Sequence, residues 1–126
     1  PPTASRGGFL IKVSLSFILQ TSTLLMDNYN VHLSEAALLW SNLEISEGNW
    51  NWDMADRYVD WSIANNIEPI GHCLIWKGIG WMSSFPPNST QEAKAALYYQ
   101  RMDNFINATM TRYKGMVHLY CLSCRM

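Results

Sequence analysis

The spacing of hydrophobic residues along the chain predicts short strands that alternate with longer helices. Residues 29–33 have the sequence "YNVHL", residues 67–76 "IEPIGHCLIW" and residues 116–122 "MVHLYCL". Short apolar or β-favouring runs of this kind are typical of strands in a parallel sheet. Near the start of the chain, residues 9–19 alternate apolar side chains with serines, which predicts one further strand.

Two longer segments have the spacing of helices that lie on a sheet. The first is expected to begin at Asp53, a good N-cap residue, and to extend to about Asn66. The second is predicted over residues 90–114, because a capping-box sequence opens it and Gly115 follows it. The resulting order of strand, helix, strand, helix, strand predicts parallel strands that are joined by helical crossovers.

Composition and charge narrow the possible functions. The chain has 126 residues, a net charge of −1 and no run of Lys or Arg, so we expect neither nucleic acid nor a membrane surface as its partner. Asn88 and Asn107 each begin an Asn-x-Ser/Thr acceptor pattern for glycosylation. Together with an interrupted apolar stretch near the start, these patterns lead us to expect a secreted protein.

Cysteines raise the question of a metal or redox site. Two residues separate Cys121 from Cys124, and His118 lies three positions before Cys121. Cys73 is far from all three in the sequence. Three ligands of a metal ion could lie at this spacing, but no fourth is evident and no thioredoxin-like pattern surrounds them. We favour incidental thiols over a metal or redox role, and predict no metal and no cofactor.

Polar and aromatic residues follow the predicted strands at the end where parallel α/β folds place their function. Glu35 follows the strand at 29–33, and His72 and Trp76 lie at the end of the next strand. A sugar requires this combination, since its hydroxyls take hydrogen bonds from polar groups and its C–H face stacks on an indole. Taken alone, His72 would be interpreted as a core histidine bonded to a carbonyl, and Glu35 could be a solvated loop acid.

The stretch 48–76 gives these residues a more specific meaning. Its sequence, "GNWNWDMADRYVDWSIANNIEPIGHCLIW", is similar to a pattern of glycoside hydrolase family 10, the retaining endo-β-1,4-xylanases. The family pattern begins with Gly-x-Phe-x-Phe/Trp-x-x-Ala-Asp, which is followed by a helix. Asn-x-Ile comes after the helix, and Gly-His-x-Leu-x-Trp ends the pattern. We assign residues 28–126 to a truncated barrel fragment of this family and leave residues 1–27 unassigned.

The resemblance implies a fold and a ligand. The expected fold is α/β, a partial (β/α)8 barrel of three to four parallel strands with outer helices, because a complete barrel takes roughly 250 residues. The expected ligand is xylan or a related β-1,4-linked polysaccharide, bound by Glu35, His72 and Trp76. Open sheet edges invite association, so we also expect the isolated chain to be poorly soluble or oligomeric.

The chain departs from the family where the chemistry lies. Family members use an acid/base glutamate in a Trp-Asp-x-x-Asn-Glu motif and a nucleophilic glutamate on the seventh strand. Without gaps, Arg125 stands at the acid/base position, and the seventh strand is absent from the sequence. Ala36 and Leu39 stand where the family has Asn and Lys, and Lys77 and Ile79 replace a His and a Gln.

We therefore predict no catalytic residue in this chain and no hydrolysis by it. The alternatives are a non-catalytic sugar-binding relative and an unrelated α/β interaction module. Among the remaining residues, Trp40, Trp50, Trp52 and Trp61 are expected to be packing residues. Glu44, Glu47 and Glu92 are expected to be surface charges or capping residues.

Overall fold

The computed structural model describes residues 7–13, 29–34, 36–76 and 80–122. The elements follow one another in this order: β1 (Gly7–Val13), β2 (Tyr29–Ser34), α1 (Trp40–Leu43), β3 (Glu44–Ser46), β4 (Asn49–Trp50), α2 (Asp53–Ala64), β5 (Glu68–Gly71), a 3₁₀ helix (Gly80–Ser83), α3 (Gln91–Arg112) and β6 (Leu119–Tyr120).

Four strands form the main sheet in the order β1-β2-β5-β6, and every neighbouring pair is parallel. The predicted parallel sheet with helical crossovers is therefore confirmed. The sheet also includes β1, which lies within the segment 1–27 that the sequence left unassigned. The rest of the predicted alternation, at residues 14–19, lies outside the described residues.

A small hairpin stands apart from this sheet. It lies between α1 and α2, where β3 and β4 pair in antiparallel fashion. Gly48 makes the connection at φ +77°, a left-handed conformation that a side chain would strain. The two strands are only three and two residues long, which is too short for an alternating pattern to predict them.

The hydrophobic core lies between the sheet and the two long helices. Trp40 is at its centre, where its ring stacks on Phe105 of α3 with the centroids 5.2 Å apart. Trp50 and Trp52 stack on each other at 5.0 Å and pack against the same core, as Trp61 does. The prediction that these tryptophans are packing residues is thus confirmed. No helix in the described ranges is both long and apolar enough to cross a membrane.

A polar clamp joins the start of α2 to the end of α3. Asp56 accepts hydrogen bonds from Arg112 Nε at 3.0 Å, from Arg112 Nη2 at 2.6 Å and from the Tyr113 hydroxyl at 2.8 Å. The Arg112 guanidinium also lies 4.9 Å from the centroid of the Trp52 ring. The hydrogen bond from Arg112 lowers the pKa of Asp56, and partial burial opposes this effect more weakly.

This clamp should make stability depend on pH. Since the folded-state pKa of Asp56 is below its usual 3.8, the stabilisation is present above that pH and disappears as the pH falls through the folded-state value. Asp56→Asn should lower the free energy of unfolding at neutral pH by up to about 1 kcal/mol, because the pair is partly exposed. Urea unfolding at several pH values measures this, and the difference should disappear as the pH falls below the folded-state pKa of Asp56.

Asp60→Asn is the matched control, because Asp60 is an exposed carboxylate on the same helix. We expect this variant to track the unmodified chain at every pH. A deficit in Asp56→Asn that persists unchanged at acid pH would contradict the role assigned to the clamp.

Candidate functional site

His72 and Trp76 lie at the carboxyl end of the sheet, as predicted. His72 follows β5 directly and is half-buried, and Trp76 is 42% exposed. Between them, the amide of Leu74 donates to the Cys121 carbonyl at 3.0 Å, and that of Ile75 to the Leu122 carbonyl at 2.8 Å. The segment that carries both candidate sugar ligands is thus held against the residues that follow β6.

Tyr58 fixes the strand ends that lead into the candidate site. Its hydroxyl donates to the Ile70 carbonyl at 3.0 Å and accepts from the Ile70 amide at 2.9 Å, and it also bonds to the Ser34 backbone. Burial raises the pKa of the phenol, so the hydroxyl keeps the proton that it donates. Ser34 and Ile70 come just before Glu35 and His72. Glu35 itself lies outside the described residues, so its role in the site stays a prediction.

Gly71 explains part of the Gly-His motif. The ring of Tyr120 covers the position that a Cβ of Gly71 would take, so only glycine fits there. Without gaps, Tyr120 stands where the family pattern has the Trp of Trp-Asp-x-x-Asn-Glu. The contact places the strand that precedes His72 directly beside the strand where the family carries its acid/base motif. Arg125 and Cys124 lie outside the described residues.

Glu44 was expected to be a surface charge or a capping residue. It follows α1 at the C-cap position, and the expectation of a surface charge is wrong. Its side chain is only 3% exposed, because α1 and the hairpin enclose it. Glu44 Oε2 accepts from Trp40 Nε1 at 2.7 Å, and Oε1 accepts from the Gly48 amide at 2.8 Å. Its backbone carbonyl accepts from Trp81 Nε1 at 3.1 Å. Glu44 is therefore a structural acid that organises the scaffold beside the site.

Arg101 is a second structural residue that sequence reasoning missed. Its Nη1 donates to the carbonyls of Trp81, Met82 and Ser84 at 3.1, 3.2 and 2.7 Å. Its Nη2 lies 3.1 Å from the carboxylate of Glu47, which is exposed as expected. The guanidinium thus fastens the 3₁₀ helix, which follows the Trp76 segment, to α3.

The two glycosylation patterns sit in different environments. Asn88 is exposed in a turn at φ +63°, and the Thr90 hydroxyl two residues later accepts the capping hydrogen bond of α3. Asn107 is exposed on α3, but the Thr109 of its pattern is fully buried. Use of either acceptor stays a prediction, and the geometry favours Asn88.

Cysteines and histidine do not converge in the described part of the chain. Cys73 and Cys121 are present as thiols, and Cys73 Sγ donates to the Ile75 carbonyl at 3.1 Å. His118 Nδ1 lies 2.9 Å from Glu68 Oε1. No group of three His, Cys, Asp or Glu side chains within these ranges could hold a metal ion. Cys124 lies outside them.

A pocket of about 360 Å³ opens at the opposite end of the sheet. Asn30, Glu68 and His118 line it at the amino ends of β2, β5 and β6. In parallel α/β barrels that end serves stability, whereas function sits at the carboxyl end. We therefore assign the candidate ligand site to the carboxyl rim, which carries His72 and Trp76, and not to this pocket.

The parallel sheet, its outer helices and its polar carboxyl rim define one class of protein, the (β/α)8 barrels, of which this chain forms a part. Within that class, the chain belongs to glycosyl hydrolase family 10, whose model matches residues 5–121. The match begins before β1, so it includes most of the segment that the sequence left unassigned.

Curated relatives of this chain are much longer than it is. It is 33% identical to the exoglucanase XynX of Acetivibrio thermocellus over 89 residues. The aligned residues are 69% of this chain and 8% of that protein. It is 30% identical over 101 residues to endo-1,4-beta-xylanase C of Paenibacillus barcinonensis, covering 79% of this chain and 9% of the relative. The chain thus spans about a tenth of these two proteins.

Solved structures locate the chain within a barrel. A psychrophilic family 10 endo-beta-1,4-xylanase is 26% identical to this chain, with a TM-score of 0.76. The matched region covers 90% of this chain and 36% of the xylanase chain. Xylanase B from Clostridium stercorarium F9 is 25% identical to this chain, also with a TM-score of 0.76. The matched region covers 90% of this chain and 37% of the xylanase B chain. The predicted partial (β/α)8 barrel is confirmed, and the chain supplies about a third of the length of these enzymes.

Proposed function

We propose that this chain forms the substrate-binding part of a retaining endo-β-1,4-xylanase barrel and that it binds xylan at its carboxyl rim. The observation that carries this proposal is the pairing of a half-buried His72 with an exposed Trp76 on a segment fixed at that rim. The imidazole can hydrogen-bond a sugar hydroxyl, and the indole offers an apolar face to a sugar ring. Glu35, the residue after β2, completes the proposed set.

The proposal excludes hydrolysis by this chain alone. Retaining hydrolysis needs one carboxylic acid to protonate the leaving oxygen and a carboxylate about 5–5.5 Å away to attack the sugar. Arg125 at the acid/base position cannot replace the acid, because a guanidinium stays charged at any working pH. Glu44 and Asp56 are committed to hydrogen bonds within the scaffold. The chain therefore binds sugar without cleaving it.

One experiment with xylan tests binding and turnover together. The purified chain is incubated with soluble xylan, released reducing ends are counted, and the affinity for xylo-oligosaccharides is measured by NMR titration. We expect no reducing ends above background and weak binding, since Ala36 and Leu39 offer no hydrogen bonds to sugar hydroxyls. Trp76→Ala should weaken that binding about fivefold to tenfold by removing the stacking ring.

Tyr99→Ala is the matched control, because Tyr99 is an exposed aromatic residue on α3. Its loss should leave binding unchanged. Equal losses in the two variants would argue against a site at Trp76. Turnover that disappears in Glu35→Ala would overturn the assignment of a non-hydrolytic chain, since it would reveal a working pair of carboxyl groups.

The proposed substrate also suggests where the protein acts. Xylan is a polysaccharide outside the cells that degrade it, so the proposal includes secretion. The exposed turn at Asn88 is compatible with a glycan there, because a sugar attached at this position would point away from the core.

A further inference from the structure

Tyr58 connects helix α2 to the carboxyl ends of two strands. The residue is fully buried, and its hydroxyl donates to the Ile70 carbonyl at 3.0 Å and accepts from the Ile70 amide at 2.9 Å. A phenol has one proton, which goes to Ile70, so its bond to the Ser34 backbone is accepted from the Ser34 amide. One oxygen atom on a helix thus binds the last residue of β2 and the third residue of β5.

The hydroxyl lies at the seam between β2 and β5, which pair in parallel. Gly71 turns its carbonyl towards β6, where it accepts from the Cys121 amide at 2.7 Å. Because the backbone groups of successive strand residues point to opposite neighbours, those of Ile70 face β2. Tyr58 therefore supports the pairing of the two strands at its carboxyl end, two residues before His72.

The bond to Ser34 is the one that joins separate parts of the fold. Helix α2 is already held to β5 by a short connection, in which the Ile67 amide donates to the Ser62 carbonyl at 2.8 Å. The Ser62 hydroxyl in turn donates to the Tyr58 carbonyl at 2.7 Å. Local contacts therefore fix Tyr58 relative to β5. Its bond to Ser34 adds β2 to this assembly, so the hydroxyl fixes the carboxyl end of β2 relative to β5.

Ser34 extends this constraint to the segment that follows β2. It is only 2% exposed, and its Oγ accepts from the Ala37 amide at 3.2 Å, which shapes the turn after the strand. On the other strand, His72 follows β5 directly. The rim segments after β2 and β5 are thus both tied to the phenol oxygen of Tyr58, which is too deeply buried to touch a ligand at the rim.

We propose that Tyr58 is a positioning residue for the sugar site: its hydroxyl holds the segments after β2 and β5 at the separation that binding of one xylan chain requires. This rests on the proposed function, in which Glu35 after β2 and His72 after β5 bind the same chain. Ligand groups on different strands must be held within about 0.5 Å of their binding geometry. A small shift of one strand end therefore weakens binding, although Tyr58 itself makes no contact with the sugar.

Binding of xylo-oligosaccharides by Tyr58→Phe tests this role. The phenylalanine keeps the ring in the core and removes only the hydroxyl, so we expect the affinity in an NMR titration to fall about fivefold or more. Tyr113→Phe is the matched control, because it also removes the hydroxyl of a buried tyrosine, but that hydroxyl bonds to Asp56 in the clamp between α2 and α3. It should change the affinity less than about twofold. Equal losses in the two variants would overturn the proposal, since they would reflect weaker folding alone.

A double-mutant cycle separates positioning from general stability. If Tyr58 places the two segments relative to each other, its hydroxyl matters only while a ligand group on each segment contacts the sugar. Tyr58→Phe should therefore cost little further affinity in a Glu35→Ala background. A full, additive loss in that background would contradict a positioning role.

Hydrogen exchange of the Ser34 amide distinguishes failure of this proposal from failure of the proposed function. If the unmodified chain binds no xylo-oligosaccharide, the proposed function is wrong, yet Tyr58→Phe should still speed exchange of this amide about tenfold or more, and Tyr113→Phe should not. An unchanged exchange rate in Tyr58→Phe would refute the hold of Tyr58 on β2, whether or not sugar binds.

The unmodified chain supplies a measurement that remains decisive even if Tyr58→Phe does not fold. Saturating xylo-oligosaccharide should slow exchange of the Ser34 amide, because the sugar and Tyr58 then hold the same strand end. Sugar binding that leaves this amide unchanged would overturn the proposal.

Discussion

Gly71→Ala should reduce the free energy of unfolding by about 3 kcal/mol, the upper end of the range for overpacked cores. A methyl group on Gly71 would lie 2.6 Å from Cε1 of the Tyr120 ring and closer still to Cδ1. Gly71 is not among the residues with positive φ, so the penalty arises from this overlap and not from backbone strain. The ring is rigid and packs against the helical core, so it cannot withdraw as a flexible chain end could. Urea unfolding, followed by tryptophan fluorescence, measures the loss.

A double-mutant cycle with Tyr120→Ala isolates the steric cause. Removing the ring should itself destabilise the fold, but adding Gly71→Ala to that background should cost little, because the overlapping atoms are gone. The two changes would then be strongly non-additive, as expected for residues in contact. Simple additivity would show that the alanine acts through something other than Tyr120.

The second large effect is expected at Glu44. Glu44→Ala should lower the free energy of unfolding by about 3 kcal/mol, since it leaves two donors, one buried and one partly buried, without their acceptor. Those donors are the indole of Trp40 and the amide of Gly48. The loss is measurable by the same urea titration, and Glu44→Gln should be milder because its amide oxygen can still accept from one donor.

Glu47→Ala provides the control, because it removes an exposed carboxylate that lies three positions after Glu44. Its pairing with Arg101 is at the surface end of that guanidinium, whose other hydrogen bonds to backbone carbonyls remain. We expect a change below about 1 kcal/mol. Comparable losses from the two alanine variants would refute the assignment of Glu44 as the buried structural acid.

Local sequence patterns were sufficient to predict the order of the main-sheet strands and the two long helices, but not the short elements between them. The second long helix was expected over 90–114 and is found at Gln91–Arg112, with the Thr90 hydroxyl accepting from the Ala93 amide as a capping sequence requires. The first begins at Asp53 as expected, although the Asn51 side chain, not that of Asp53, accepts from the first helical amide. The strand predicted at 67–76 is a regular strand only at Glu68–Gly71, because the following residues bond to the segment after β6 in a less regular way.

Contacts between distant segments could not be predicted in this way. Arg101 binds carbonyls 17 to 20 positions earlier in the chain, and Arg112 binds Asp56 across 56 positions. The indole of Trp81 donates to the backbone carbonyl of Glu44, 37 positions earlier. Nothing in the neighbouring residues of a glutamate or an arginine distinguishes these roles from a solvated charge.

The family motif was recognised as a unit, but its residues serve two different purposes. Gly48 shapes a turn, Ala55 is fully buried and Asp56 clamps two helices together. His72 and Trp76 alone reach the rim where a ligand could bind. A motif match fixes positions along the chain, whereas the division between scaffold and ligand residues depends on where each side chain lies in three dimensions.

The contact between Gly71 and Tyr120 also limits how the segment between α3 and β6 can change during evolution. Side chains along β6 alternate between the helical face and the opposite face, so loss or gain of one residue before the strand would exchange the two faces. Such a change would move Tyr120 off Gly71 and place Leu119 or Cys121 there instead. Substitutions leave this alternation intact, so the identity of residues in this segment can drift while its length is held constant by selection.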